Sequence, residues 1–497
     1  LFFFALMTSP SNELFKTRQR LSSHGSYGGA FKISGTSPSN PSIHLLGPRT
    51  SNYADQPGSY APFTIGTRTS SIASGAALLP QEPTVTKASS TATVFTIINI
   101  YVGLGLLAQA YALQRGGWIA LAAMALCGLM CAYTGKLIVR CFNHMDLELY
   151  QDLGGATWSN LADYLLGWTG RSVVTFLTVT EFFGAGCMAM LMTWKNAQAV
   201  LPWIAFEHIA VGVTCLVMPA LLLESFGDLA IFSVIGACTK ILTATIPIVI
   251  YLTWSPTWQE EHPVEYQVVN YDTLPMSLGV IMLAYSAHAC LPSVYSAMEK
   301  PEDFPTVVNV AFSSMFIMYG LMGGMGYLVF GSGCSPLITQ DAFTAATEDW
   351  QIALCTFIVG LVSWATFSTT VPVVGVLTDF IAVLIPTNVW VNTRLSIRKL
   401  RIVMCLLLAI IAYPTRNYLG YLESGIGIIS LMVTLLTPLV FNHFMFASEM
   451  KWYEKFFSIF MIVVCIILTI IIGFYSVMEL LRTLGLVEYD GPPPPAH

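Results

Sequence analysis

Asn99-Ile100-Tyr101-Val102-Gly103-Leu104-Gly105-Leu106-Leu107 sits in the middle of an apolar run over residues 92–113. Two glycines one residue apart weaken a helix. Backbone left unpaired at the depth of a bilayer is tolerated only where protein buries it or where it lines a cavity. Taken alone, this span fits either a broken helix or a surface of small residues on which a neighbour packs. A second stretch favours the break. Tyr285-Ser286-Ala287-His288-Ala289-Cys290-Leu291-Pro292-Ser293-Val294-Tyr295, inside the run 273–298, carries a mid-span proline that removes a backbone donor, with Ser and His able to satisfy freed carbonyls. Interrupted helices in first and sixth place are the pattern of an inverted five-plus-five repeat. In that construction half-helix N-termini aim N–H groups and positive dipole ends at an anionic group near the midplane. A substrate bearing a carboxylate suits it.

Around these two stretches, apolar runs of membrane-spanning length follow one another: 92–113, 117–139, 172–194, 208–224, 229–252, 273–298, 306–330, 351–379, 400–415, 418–446 and 456–482. The expected fold is therefore all-α, an integral membrane protein of eleven transmembrane helices. Composition agrees. Of 497 residues 55% are hydrophobic and 10% charged, with a mean hydropathy of +0.66, too little charge to keep such a chain in water. A net charge of -6 without a basic block excludes a nucleic-acid partner. Cysteines such as Cys127, Cys215, Cys355 and Cys465 lie inside apolar runs in no metal-like spacing, so neither a metal site nor a disulfide framework is expected.

Residues 1–90 differ from the rest: rich in Ser, Gly, Pro and Thr, they read as a disordered tail. Leu1 to Met7 is too short to cross a bilayer and lacks a basic flank, so no signal peptide is expected and Met7 is the expected start. Residues 91–482 form the transmembrane domain, and 483–497 a short Pro-rich end. If the tail is cytosolic, ten Lys and Arg near helix ends fall in inner loops and four in outer segments (Arg115, Lys195, Arg416 and Arg482). That bias places the N-terminus inside. The outer stretches 253–272 and 331–350 are acidic and hold no Lys or Arg.

Ionisable groups inside the runs are expensive and mark function or a buried partner. Lys240, central in the fifth run, reads as a coupling cation or as the partner of an acid or of broken-helix carbonyls. Glu181 reads as a proton carrier or as one side of a helix-packing bond. His288 reads as a titrating group or as a neutral ring satisfying the broken backbone. Glu423, near the outer end of the tenth run, is expected at the interface.

The segment Asn99-x3-Gly103-x-Gly105-x-Leu107-x3-Tyr111-Ala112-x3-Gly116-Gly117-Trp118 resembles the first helix of the amino acid/auxin permeases. Tyr285-Ser286-x-His288-x3-Pro292-x-Val294-Tyr295-x2-Met298-x2-Pro301-x2-Phe304 resembles their sixth helix, and Gly326-Tyr327-x2-Phe330-Gly331 the end of their seventh. Gly167-x2-Gly170-Arg171 with Glu181-Phe182 is similar to the third-helix entry of the vacuolar and vesicular inhibitory amino acid branch. Two places depart: Ala110 stands where a proline usually precedes Tyr-Ala, and Val362 to Thr370 replaces a familiar Lys-Tyr-Ala-Leu-Thr pattern.

The resemblance, over about residues 90 to 480, implies a leucine-transporter-like fold and secondary transport of amino acids in a vacuolar or other endomembrane, without a cofactor. It implies a substrate site of Asn99, Gly103, Leu104, Gly105, Tyr285, Ser286 and His288. The N–H groups of Gly103 to Gly105 would take the carboxylate, and carbonyls near Tyr285, Ser286 and His288 the amine. Lys240, Glu181 and His288 are the candidates for proton coupling. A sodium-coupled carrier, supported by the hydroxyl cluster Ser368-Thr369-Thr370, and an amino-acid sensor signalling through the tail are the rival readings. An intramembrane enzyme is disfavoured, since no His-Glu-x-x-His or Gly-x-Ser-x-Gly occurs.

Overall fold

The computed structural model describes residues 88–144, 158–221, 239–253, 259–260, 264–384 and 394–486. The expectations for residues 1–87, for the Pro-rich end and for the first half of the fifth run lie outside them. The first run is divided: α1 (Ser90–Tyr101) leads through a 3₁₀ turn at Leu104–Leu106 into α2 (Gln109–Gly116). Then come α3 (Ile119–His144), α4 (Trp158–Val200), α5 (Phe206–Leu221) and, from the fifth run, helical residues 239–244 and α6 (Ile246–Thr253). The sixth run is divided as well, into α7 (Leu274–Ala284), a 3₁₀ turn at His288–Cys290 and α8 (Leu291–Ser296). The remainder is α9 (Phe304–Phe330), α10 (Ile338–Thr344), α11 (Asp349–Leu384), α12 (Arg394–Ala412), α13 (Leu419–Leu431), α14 (Thr437–Phe446) and α15 (Trp452–Thr483). A π-helical turn, Met432–Leu436, joins α13 to α14.

Among the described residues, six helices are long and apolar enough to cross a membrane by length and composition. Two runs differ from their expected bounds for identifiable reasons. The third, expected over 172–194, begins at Trp158, because the helix continues N-terminal to a kink at Gly167, whose φ of 66° and ψ of -162° suit a residue without Cβ. The ninth, expected over 400–415, begins at Arg394: its first turns carry Arg394, Arg398, Lys399 and Arg401, which hide a helix from a hydropathy window.

Two sets of contacts define the ends of the bundle. At one end Ala88 N donates to Ala297 O (2.8 Å), Glu299 N to Ala88 O (2.8 Å) and Ser90 Oγ to Asp303 Oδ2 (2.7 Å). Asn143 Nδ2 donates to the Tyr295 hydroxyl (3.0 Å), and the Arg140 guanidinium lies 4.0 Å from the centre of the Phe446 ring. At the other end Trp118 N and Ile119 N donate to Gln267 O and Val268 O (3.1 and 3.0 Å), and Tyr266 Oη to Leu328 O (2.6 Å). Arg115 sits 3.8 Å from Glu479 there, and the Tyr421 and Thr483 hydroxyls share a bond of 2.6 Å. The first set belongs to the loops richer in Lys and Arg, the second to the acidic ones.

Between these ends α7 and α13 cross backbone to backbone. A Cβ on Gly427 would run into the carbonyl of Gly279, and a Cβ on Gly279 would come 2.8 Å from the Ser424 carbonyl. Glycine is required by the close approach and not by a turn. Overpacking of this kind costs about 1–3 kcal/mol. Gly427→Ala is therefore expected to lower the melting temperature of the purified protein, while Gly425→Ala, whose Cβ would meet nothing within 4 Å, leaves it unchanged; equal melting curves for the two would refute the crossing.

Candidate functional site

A helix that stops at Tyr101 leaves carbonyls that would otherwise accept from residues four further on. Gly103 N turns back onto Tyr101 O (2.8 Å), so Asn99 O loses its helical donor. Lys240 supplies another. Its Nζ donates to Asn99 O at 2.9 Å and to Asn99 Oδ1 at 3.1 Å, from a side chain that is buried. The Lys240 ammonium thus sits on a broken-helix carbonyl and on the side-chain amide of the same residue, Asn99.

The carbonyls at the two breaks meet at one phenol. Tyr319, on α9, sets its hydroxyl 2.7 Å from Ala284 O, the last residue of α7, and 3.2 Å from Tyr101 O, the last of α1. Its single O–H serves two chain ends. Gln109 Nε2 takes the carbonyl of Gly105 in the same way. Neither Tyr319 nor Gln109 was picked out by sequence pattern, since a tyrosine or glutamine in an apolar run carries no motif; the signal is a polar head at the depth where two runs are interrupted.

The sixth run breaks at Ala287, whose φ of 114° and ψ of 18° are left-handed. It is the one non-glycine residue with positive φ among the described residues, a conformation costing roughly 1–2 kcal/mol. The next residue holds the strained turn. His288, fully buried, receives the Tyr101 hydroxyl at Nδ1 (2.9 Å) and directs Nε2 at Cys131 O (3.0 Å), with Thr134 Oγ1 at 3.2 Å. A carbonyl can only accept, so the proton sits on Nε2 and Nδ1 accepts. Every polar position of the ring is occupied. Tyr285 stacks on Phe312 (centroids 6.1 Å apart) and meets Tyr319 edge-on (5.2 Å), with its buried hydroxyl unpartnered among the described residues. Ser286 is half-buried.

The two glycines of the first break have separate duties. A Cβ on Gly105 would come 2.5 Å from Ala284 Cα, so here the two interrupted helices touch. A Cβ on Gly103 would meet Thr369 Cγ2 at an ordinary 3.8 Å. The open space lies on that side: a small cavity lined by Gly103, Leu106, Lys240, Thr243, Thr366 and Thr369, among others. Leu104 joins the glycines in the 3₁₀ turn. Of the hydroxyl cluster, Thr369 and Thr370 donate to Ala365 O and Thr366 O (both 2.9 Å) on their own helix.

Two carboxylates stand apart from this cavity. Glu181, on α4, and Glu423, on α13, are buried, and none of their four oxygens has a hydrogen-bond partner among the described residues. Glu423, expected near the outer end of its run, is fully enclosed by protein, because the first turn of α13 packs inward, with Gly420 against the Tyr111 ring.

Residues 86–482 match the family model described as transmembrane amino acid transporter protein. Amino acid transporter AVT1C of Arabidopsis thaliana is 28% identical over 69% of this chain and 60% of its own length. The vesicular inhibitory amino acid transporter of Xenopus tropicalis is 21% identical over 50% of this chain and 48% of its own. The chain thus spans about three fifths or less of the length of these two relatives. Among solved structures, a manganese transporter of Eremococcus coleocola aligns with a TM-score of 0.51 at 13% identity, covering 85% of this chain and 96% of that one. MhsT in complex with L-phenylalanine aligns at 0.50 and 11%, covering 77% and 98%. Identity this low shows the fold alone, and it is the leucine-transporter-like fold.

Removing the Tyr319 hydroxyl leaves the buried carbonyl of Ala284 short of a donor and takes away the second donor of Tyr101 O, a cost of about 1–3 kcal/mol. Tyr319→Phe is expected to lower the melting temperature, whereas Tyr453→Phe, at an exposed ring, does not; an unchanged Tyr319→Phe protein would show that the phenol does not hold the breaks together.

Proposed function

The chain belongs to the transmembrane amino acid transporter family, and on that premise we propose that it is a secondary active carrier of amino acids, coupled to protons through Lys240. The observation that carries the reading is the Lys240 ammonium on Asn99 O, facing the cavity beside Gly103 and Thr369. A sodium ion placed about 4 Å from a protonated amine would be repelled by about 4 kcal/mol at an effective dielectric constant near 20. Lysine and sodium are poor tenants of one cavity.

Protonation of Lys240 gives the break a charge-assisted bond to Asn99 O, worth about 1–2 kcal/mol more than a neutral one. A difference of about 1.4 kcal/mol shifts a two-state equilibrium tenfold. The proton would thus hold α1 against the fifth helix, and its release would free α1 to move. The amino acid would lie at the breaks, its carboxylate on the N–H groups of Gly103, Leu104 and Gly105, its amine on carbonyls near Tyr285, Ser286 and His288, with Asn99 alongside. Eleven crossings in an inverted five-plus-five repeat are supported by the way the end contacts alternate along the chain and by the opposite directions of α1–α2 and α7–α8. The basic end would face the cytosol. The vesicular relative supports an endomembrane location.

Sodium coupling has one observation in its favour, that Thr366 and Thr369 line the same cavity. In proteoliposomes, uptake of radiolabelled amino acid is expected to follow a pH gradient and to ignore sodium. Lys240→Met, similar in length but neutral, should remove the response to the gradient while leaving slow counter-flow. Uptake driven by sodium in the unmodified protein, or full proton dependence in Lys240→Met, would overturn this reading, and absence of any counter-flow would favour a sensor.

A further inference from the structure

Helices α4 and α13 pack along a common seam, close enough that a Cβ on Gly184 would come 2.5 Å from the Ile426 side chain. Thr178 and Glu181 lie one turn apart on α4. Glu423, Ser430 and Thr434 follow at spacings of seven and four along α13 and the π-helical turn, which keeps them on one face. All five side chains are buried, four of them fully and Glu181 nearly so. None of their seven oxygens has a hydrogen-bond partner among the described residues. Ser430 stands beside Glu181 without closing a bond. From Glu423 to Thr434 the column covers roughly 16 Å of helix, at about 1.5 Å per residue.

A protein does not bury seven such atoms empty-handed. Each neutral one left unpaired costs about 1–3 kcal/mol, and a carboxylate more. Nearby, Thr437 Oγ1 closes onto the chain, donating to Met432 O at 2.7 Å and taking up a carbonyl of the π turn. The seam residues make no such bond among the described residues, and partners that exchange, water and protons, would satisfy them. The charged and titratable groups within electrostatic range of the two acids come from four neighbouring elements. Lys195 on α4 and Tyr111 on α2 are within range of Glu423, and Tyr101 on α1 and Cys290 in the sixth-run break within range of Glu181. Glu181 therefore sits within electrostatic reach of both breaks, and Glu423 lies toward the end of the bundle that holds Arg115, Tyr421 and Glu479.

We propose that the α4–α13 seam is a water-filled proton path, with Glu423 and Glu181 as its two proton-binding stations, leading from the acidic end of the bundle to the breaks. It shares no lining residue named here with the Lys240 cavity. One proton leaves the Glu423 carboxyl for a water, passes along waters held by Ser430, and is taken up by the Glu181 carboxylate; no other bond changes. The proposal deepens the transport reading and rests on it for the purpose of the path, though not for its existence.

The test uses the full-length protein in vesicles with an internal pH-sensitive dye. Glu423→Gln and Glu181→Gln are each expected to lower amino-acid-coupled proton entry by about 10²-fold or more, while equilibrium counter-flow of amino acid, which needs no net proton movement, stays within a few-fold of the unmodified protein. Unchanged proton entry in either variant would overturn the path. A second measurement needs no variant: a hydrophobic carbodiimide, which reacts with protonated carboxyls in apolar surroundings, is added across a pH series and the adducts are mapped by mass spectrometry. Labelling of Glu423 and Glu181 that declines as pH rises supports the path even where a variant fails to fold or no flux is found. Two residues left unmodified at every pH would overturn it.

Discussion

Backbone carbonyls released in the middle of a membrane bundle must find donors other than water, and the centre of this protein is organised by that requirement. Tyr319 meets it most economically, with one hydroxyl between Ala284 O and Tyr101 O. Lys240 takes Asn99 O, Gln109 takes Gly105 O, and His288 bonds Tyr101 Oη and Cys131 O. These bonds join α1, α3, α7, α9 and the fifth helix at one level. Because the alternative to each is an unsatisfied group in a medium without water, the breaks are held as firmly as helix.

That firmness is uneven, which gives the bundle a way to move. Gly105 is wedged on Ala284, and Ala287 is kept left-handed by the enclosed His288. Gly103, by contrast, borders open space, and the donor that holds Asn99 O there is an amine that can lose its proton. The α1 side of the break is therefore held by an amine beside open space as well as by Tyr319, while the α7 side is anchored through Tyr319. On the opposite flank, α4 and α13 carry carboxylates and hydroxyls that close on nothing in the chain.

Much of this was legible in the amino-acid sequence, for physical reasons that differ from place to place. Glycine at 103 and 105 and proline at 292 announce interruptions because they act on the backbone locally. Lys240 stood out because a lysine in mid-run needs a partner, and one of its two expected partners, broken-helix carbonyls, is the one it has. The bonds that close the breaks were not legible, since Tyr319 and Gln109 act across the fold at positions with no local pattern. The enclosure of Glu423 was not legible, because a hydropathy run reports depth along the membrane normal and not which way a helix face is turned. The start of α12 was missed for a related reason: its early turns are polar on one face, and helical all the same.

The central claim is that an amino acid binds at the breaks, beside Lys240. Thr369 lines the cavity there, and replacing it by Thr369→Cys puts a thiol on the wall facing Gly103, where a Cβ would stand at an ordinary contact of 3.8 Å from Thr369 Cγ2. In a variant whose other accessible cysteines are replaced, the rate of alkylation of that thiol is measured by mass spectrometry with and without each member of a panel of free amino acids. The account predicts that at least one of them slows the reaction in a saturable way and that its decarboxylated amine does not. A rate that no amino acid alters, in protein shown to exchange amino acids across vesicles, would place the substrate elsewhere and contradict the account.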